Sequence, residues 1–202
     1  MLKDNLLLDS TRPFSDAPNK DIGCPEHSSE GVPSSWYALR VSYSRELKVQ
    51  KALDALGVKT FVPMIWKRCQ DNPDRKLVPA VGNLCFAYST RTELEDFIRG
   101  YGEASPVHFY WDRTANRPLT VPDKAMNDFI TVASTLDEDI VYVTEISAKL
   151  REGQTVMVKD GPFKGVEGKV VRIRKSRRIL VELPGMLAVA TTYIDPVNLE
   201  II

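Results

Sequence analysis

Apolar positions first gather at residues 36–41, where Trp36-Tyr37-Ala38-Leu39-Arg40-Val41 is dense in β-formers and predicts a strand. Ser44 is placed to cap a following helix, with Glu46 near the positive end of its dipole. Val49, Ala52, Leu53 and Leu56 then recur at helical spacing, and Gly57 closes the helix. Residues 58–62 read as the next strand, stopped by Pro63. Residues 67–76 are polar and predict a loop or hairpin tip. Leu84-Cys85-Phe86-Ala87-Tyr88 predicts a buried strand, and Leu94, Phe97 and Ile98 a short helix after it. A further strand follows at 107–111. Pro122 suits a helix start, and Ala125, Met126, Phe129, Ile130 and Ala133 form that helix's apolar face. Together these elements predict an α+β sandwich, with helices packed on an antiparallel sheet in βαββαβ-like order.

The two ends of the chain follow other patterns. Residues 1–34 hold Pro13, Pro18, Pro25 and Pro33 and sustain no period, so they read as a disordered tail. Cys24 and His27 sit there at C-x-x-H spacing, with no second pair nearby to complete a zinc site. The α+β unit spans 35–136. Residues 137–150 read as a linker with a short extended piece at 140–143. From 151 to 202 helical periods vanish. Val156 and Val158, then Val170, Val171 and Ile173, then Ile179, Val181 and Leu183 mark short strands. Turns fall at Gly161-Pro162, Lys175-Ser176-Arg177 and Pro184-Gly185. Five short strands in so few residues bury a core only by closing into a small barrel.

Charge and composition narrow the chemistry. The chain has 202 residues, 27 basic and 27 acidic, so its formal net charge is zero. The distribution is uneven: residues 151–202 carry nine Lys/Arg against six Asp/Glu, an excess suited to a polyanion. No run of about 18 apolar residues occurs, so no membrane span is expected. Residues 1–10 lack the features of a signal peptide. Three scattered cysteines point to a reducing compartment, hence a cytoplasmic protein. No phosphate-binding glycine loop, dinucleotide fingerprint or H-E-x-x-H is present, so no cofactor and no enzyme are expected. His108 lies in an apolar run and reads as a packed residue, as does Cys85. Asp137, Glu138 and Asp139 are adjacent in the linker with no scaffold to aim them.

The strongest local signal runs from Gly153 to Val170. Within it, Asp160-Gly161-Pro162 makes a tight turn and Phe163 supplies a large apolar plug. Gly165 and Gly168 permit either unusual backbone geometry or close approach. The segment resembles the KOW motif of RNA-polymerase and ribosome factors, which implies an SH3-like barrel. Upstream, Trp36-Tyr37-Ala38-Leu39-Arg40, a helix and Phe61-Val62-Pro63 resemble the N-terminal domain of the NusG transcription elongation factors. That family next carries a basic residue, two aromatics and Pro-Gly-Tyr. Here Arg75-Lys76-Leu77-Val78-Pro79-Ala80-Val81 keeps the proline and loses the aromatics. This departure, with residues 121–130 and 183–190, looks most like the UpxY-type antiterminators of capsular polysaccharide operons.

The resemblance implies a mechanism and its residues. The N-terminal domain would dock on the clamp helices of the RNA polymerase elongation complex and suppress pausing and premature termination. Tyr37, Phe61, Val78, Pro79, Ala80 and Val81 match the apolar positions that line the docking surface, and strand alternation sends some of them into the core instead. Arg40, Arg45, Lys48 and Lys51 are placed to touch non-template DNA. Ser89, Thr90 and Arg91 fall where relatives contact the opposite jaw of the cleft. Arg172, Arg174, Lys175, Arg177 and Arg178 cluster at a turn that suits nascent leader RNA, or is simply a solvated turn. The family's KOW loop recruits Rho or a ribosomal protein through an aromatic that Leu183-Pro184-Gly185-Met186 lacks, so the KOW partner stays open. One relative's C-terminal domain switches from a helical hairpin to the barrel. Here β-branched Val170, Val171, Ile173, Ile179, Val181, Thr191, Thr192 and Ile194 predict a stable barrel. The expected state is a monomer. The alternative reading is an RNA-binding or ribosome-associated KOW module.

Overall fold

The computed structural model describes residues 33–68, 75–144, 153–173 and 175–202. Residues 1–32 of the expected tail, with the Cys24–His27 pair, and Cys69, Arg174 and residues 145–152 of the expected linker and its junction lie outside the described residues. The N-terminal unit runs β1 (Ser35–Val41), α1 (Glu46–Asp54), β2 (Lys59–Phe61), β3 (Met64–Arg68), β4 (Arg75–Pro79), β5 (Leu84–Ser89) and α2 (Arg91–Arg99). It continues through β6 (Val107–Phe109), β7 (Trp111–Asp112), β8 (Arg117–Pro118), β9 (Thr120–Val121) and α3 (Asp123–Ala133). The C-terminal elements are β10 (Val141–Val143), β11 (Thr155–Val158), β12 (Glu167–Ile173), β13 (Ser176–Leu183), β14 (Leu187–Ala190), a 3-10 turn (Pro196–Asn198) and β15 (Leu199–Ile201).

The main sheet has the order β2-β5-β1-β6, with β9 also pairing β1, and its β1–β5, β1–β6 and β2–β5 ladders are antiparallel. Its backbone is the βαββαβ order that the sequence predicts. The two hairpins β3–β4 and β7–β8 stand apart as two-stranded ribbons. β1 is buried on both faces, and its alternation divides the core in two. Tyr37, Leu39 and Val41 join Val49 and Leu53 of α1 and Leu94 and Phe97 of α2. Trp36 and Ala38 join Phe86 on β5 and Met126, Phe129, Val132 and Ala133 of α3. Val132, absent from the predicted stripe, is fully buried, whereas Leu56 is exposed because α1 ends at Asp54.

The start of α1 departs from the expected cap. Ser44 sits in the left-handed region at φ 52°, and Arg45 is the N-cap without a side-chain bond. Glu46 is buried and accepts the backbone N–H of Asn83 at 2.6 Å, tying the helix to the β4–β5 connection. The helix ends earlier than expected, at Asp54 with Ala55 as its C-cap, and Gly57, at φ 78°, lies in the turn that follows.

The C-terminal unit is a six-stranded antiparallel sheet in the order β10-β14-β13-β12-β11-β15. The extended piece expected in the linker is β10, and it pairs with β14. Ser176 and Arg177, expected in a turn, are already in β13. Val156, Val158, Phe163, Ile179, Val181, Val189 and Ile194 pack in the same cluster as Phe129 of α3, so the helix lies between the two sheets. The opposite face of β13 and β14 buries Leu180, Ala188 and Ala190 with Val171.

Candidate functional site

The apolar candidates divide between the two faces of the main sheet. Tyr37 is 8% exposed, and its ring meets Phe109 edge-on at 5.6 Å among the side chains that pack α1 and α2. Phe61 faces the other way. It stands in register with Phe86 and lies 6.2 Å from the ring of Phe129. Val81 packs against the same cluster. Val78 and Pro79 pair with Ile65 and Met64 at the base of the β3–β4 ribbon. Ala80 donates its N–H to the Pro63 carbonyl at 2.7 Å. Phe61, Val78, Pro79, Ala80 and Val81 are all half-buried, and Tyr37 is not among them in space.

Two residues outside the predicted set complete this surface. Tyr142 of β10 lies 6.3 Å from Phe129 and donates its hydroxyl to the Met64 carbonyl at 3.5 Å. Burial pushes its phenol up to about 12. Only the alternation within 140–143 hinted at Tyr142. Met64 stood in a stretch without periodicity.

The basic candidates do not form one patch. Arg40 is exposed between Leu84 and His108, on the face of β1 that carries Trp36 and Ala38. Lys48 and Lys51 are exposed on α1, which packs on the other face. The Arg45 guanidinium lies 5.8 Å from the ring centroid of Tyr43, itself 81% exposed. His108, expected to be packed, is exposed because its side chain projects beside Arg40. In the C-terminal sheet Arg172 and Arg177 oppose each other directly and are exposed, as is Lys175 at φ 69°. Arg178 is a correction: it is 7% exposed, and its Nη1 donates to the Asp139 carbonyl and, at 2.9 Å, to the Thr191 carbonyl. It ties residues preceding β10 to the sheet.

Ser89 and Thr90 are likewise buried and serve the start of α2. Thr90 caps the helix: its hydroxyl accepts the Glu93 N–H at 3.3 Å, and its own N–H donates to the Glu93 carboxylate at 3.1 Å. Ser89 also donates to that carboxylate. These bonds hold Glu93 below the ordinary carboxylate range, led by the Ser89 hydroxyl. Arg91 is paired with Glu95.

The C-terminal motif resolves into distinct parts. Gly161 takes φ 89° in the turn, and Lys164 donates its N–H to the Gly161 carbonyl at 3.1 Å. Phe163 is 5% exposed, plugging the sheet as predicted. Gly165 is left-handed at φ 83°, whereas a Cβ on Gly168 would lie 2.5 Å from the Leu180 carbonyl oxygen. The turn also meets α3, where Lys124 donates to the Gly165 carbonyl at 3.0 Å. The Leu183–Met186 loop is placed against the N-terminal unit. Pro184 and Gly185 line an open cleft with Trp111, Arg113 and Arg117 of the β7–β8 hairpin.

Among the described residues no group of three or more His, Cys, Asp or Glu is placed to hold a metal ion. No described helix is long and apolar enough to cross a membrane. Cys85 is fully buried, and its thiol is pushed up to about 12 by burial first and by the Asp54 and Glu46 carboxylates second.

Comparison with known proteins places these units. Residues 34–130 match the family model described as transcription termination factor nusG, and residues 152–182 match the KOW motif model. A search of curated proteins finds no match. Among solved structures, a match is the NusG of Thermotoga maritima, from a study of its domain interaction, at 16% identity and TM-score 0.44. It covers 84% of this chain and 97% of that one.

Proposed function

We propose that this chain, a NusG-like protein joining a NusG-type domain to a KOW motif, binds the transcribing RNA polymerase and suppresses pausing and premature termination. The supporting observation is the half-buried apolar surface of Phe61, Val78, Pro79, Ala80 and Val81 within the residues that match the NusG model. A surface of this kind suits the apolar tip of a helical hairpin such as the polymerase clamp. Tyr37 drops out of the docking set and acts as core. Phe61 and Val81 are its centre, with Met64 at the edge.

Within this class the chain is a specialised antiterminator of the UpxY type, serving long operons such as those for capsular polysaccharide. The loss of aromatics at Leu77 and Val78 supports this, as does the loop at Leu183–Met186 that lacks the family's recruiting aromatic. The protein works in the cytoplasm, as a monomer and without a cofactor.

The test is binding to a reconstituted elongation complex from the same host. Val81→Asp is compared with the unchanged protein, each confirmed folded by thermal melting, with free leader RNA as competitor. Loss of binding in the variant, with no competition by RNA, is the expected result. Binding that Val81→Asp retains would overturn the assignment of this surface. Absence of polymerase binding, with tight RNA binding lost on Arg172→Ala/Arg177→Ala, would favour the RNA-binding KOW module.

A further inference from the structure

The open cleft between the β7–β8 hairpin and the Leu183–Met186 loop has a volume of about 800 Å³, and its walls come from both units of the fold. On the hairpin side Trp111 is 49% exposed, and Arg113 and Arg117 are exposed beside it. Neither arginine makes an ion pair among the described residues. The carboxylates of the cleft are already engaged. Asp112 accepts the backbone N–H groups of Thr114 and Ala115 at 2.9 and 3.0 Å. Asp123 stands in the first turn of α3, where the positive end of the helix favours it. The cleft therefore presents an aromatic face and two unneutralised cations, a combination suited to an acidic, partly apolar segment.

The chain carries such a segment at the mouth of the cleft. Ser34 and Ser35 line it, so the residues preceding Pro33 join the fold there. Residues 21–32 hold Asp21, Glu26 and Glu30 and no Lys or Arg. Residues 1–20 balance Lys3, Arg12 and Lys20 against Asp4, Asp9 and Asp16. The acidic excess thus falls entirely in the part nearest the cleft. Glu26 precedes Ser34 by eight residues, a reach of up to about 28 Å of extended chain. Tethering also makes a weak contact sufficient, because the effective concentration of a segment on a short linker is on the order of mM.

We propose that residues 21–32 dock in this cleft, with the Glu26 and Glu30 carboxylates on the Arg113 and Arg117 guanidiniums and Val32 on the face of Trp111. Docked there, the segment bridges the β7–β8 hairpin to the Pro184–Gly185 loop and closes that loop to other partners. The contact is separate from the apolar docking surface and does not depend on polymerase binding.

The test uses the full chain with Cys69→Ser, so that Cys24 alone takes a nitroxide spin label while the buried Cys85 stays silent. Broadening of the Trp111 indole N–H signal in NMR is compared before and after the nitroxide is reduced. Arg113→Glu/Arg117→Glu and Glu26→Lys/Glu30→Lys each reduce the broadening to what tethering alone produces. All four changes together exchange the charges and restore it. Glu26→Lys/Glu30→Lys alters none of the described residues, so it tests the contact even where the hairpin variant melts early. Equal broadening in the unchanged protein and in Glu26→Lys/Glu30→Lys would overturn the proposal. So would a charge exchange that restores nothing in a chain that melts like the unchanged protein. Broadening passed from a spin-labelled chain to a separate isotope-labelled one would place a second copy in the cleft, and would overturn it as well.

Discussion

Asp128 of α3 accepts the backbone N–H of Glu167 at 3.2 Å, so a carboxylate on the last helix of one unit is bonded to the first residue of β12 in the other. Asp128 is 7% exposed, and the same oxygen accepts Lys124 at 2.6 Å. Lys124 in turn donates to the Gly165 carbonyl and pairs with Glu167. Asp128→Ala leaves the Glu167 donor unpaired and removes one partner of Lys124. The expected loss is about 1–3 kcal/mol of unfolding free energy, read from urea denaturation. Burial opposes the charge on Lys124, but Asp128 and Glu167 outweigh it and hold its amine above the ordinary lysine range. A raised amine contributes stability that is complete below the unfolded value and fades as pH climbs through the folded one. Alkaline unfolding therefore begins at lower pH in Asp128→Ala than in the unchanged protein.

Cys85 should be chemically silent while the chain is folded. Its thiol is buried in β5 and pushed up to about 12, and the reactive form is the thiolate. In a Cys24→Ser/Cys69→Ser background, a thiol reagent at neutral pH labels Cys85 at the rate of global unfolding and at full speed in denaturant. Rapid labelling of the native protein would mean that β5 opens locally.

The strands and helices were largely legible in the sequence, because β1 and β5 are short runs dense in β-formers and α3 repeats its apolar residues at helical spacing. The facing of individual residues was less so. Trp36 to Leu39 are apolar without interruption, and such a run does not say which alternate set meets which helix. Tyr37 and Phe61 therefore looked equivalent and lie on opposite faces. Arg178 looked like its neighbours because charge gives no sign of direction. Its burial follows from the pairing of Val171 with Arg178, which turns it away from Arg177. The pairing of Lys67 with Lys76 and of Arg68 with Arg75 in the β3–β4 ribbon was invisible for a similar reason: register is a property of the pairing between strands.

Thr90 and Glu93 form a reciprocal cap, and Thr90→Ala removes one half of it. The expected cost is about 1 kcal/mol, measured by thermal or chemical denaturation. Glu93 is held below the usual carboxylate range by Ser89 and Thr90. Its contribution is present above the unfolded value of about 4.5 and is lost as pH falls through the lower folded value. Glu93→Gln should flatten that part of the acid limb, because the variant has no carboxylate there to protonate.

Gly165 and Gly168 stand three residues apart and fail to tolerate alanine for different reasons. Gly165 has φ 83° with open space where a Cβ would stand, so Gly165→Ala meets only backbone strain of about 1–2 kcal/mol. Gly168 has ordinary backbone, but its Cβ would lie 2.5 Å from the Leu180 carbonyl oxygen and 2.7 Å from Cγ2 of Ile179. Those atoms belong to β13, which is buried on both faces and packed against α3, so they cannot withdraw without disturbing the shared core. Gly168→Ala should therefore cost more than Gly165→Ala. Asparagine, which tolerates the left-handed region, should recover part of the loss at 165 and none at 168. Urea denaturation of the four variants checks the ordering. Equal losses at the two positions would show that β12 shifts away from β13 to admit the methyl group.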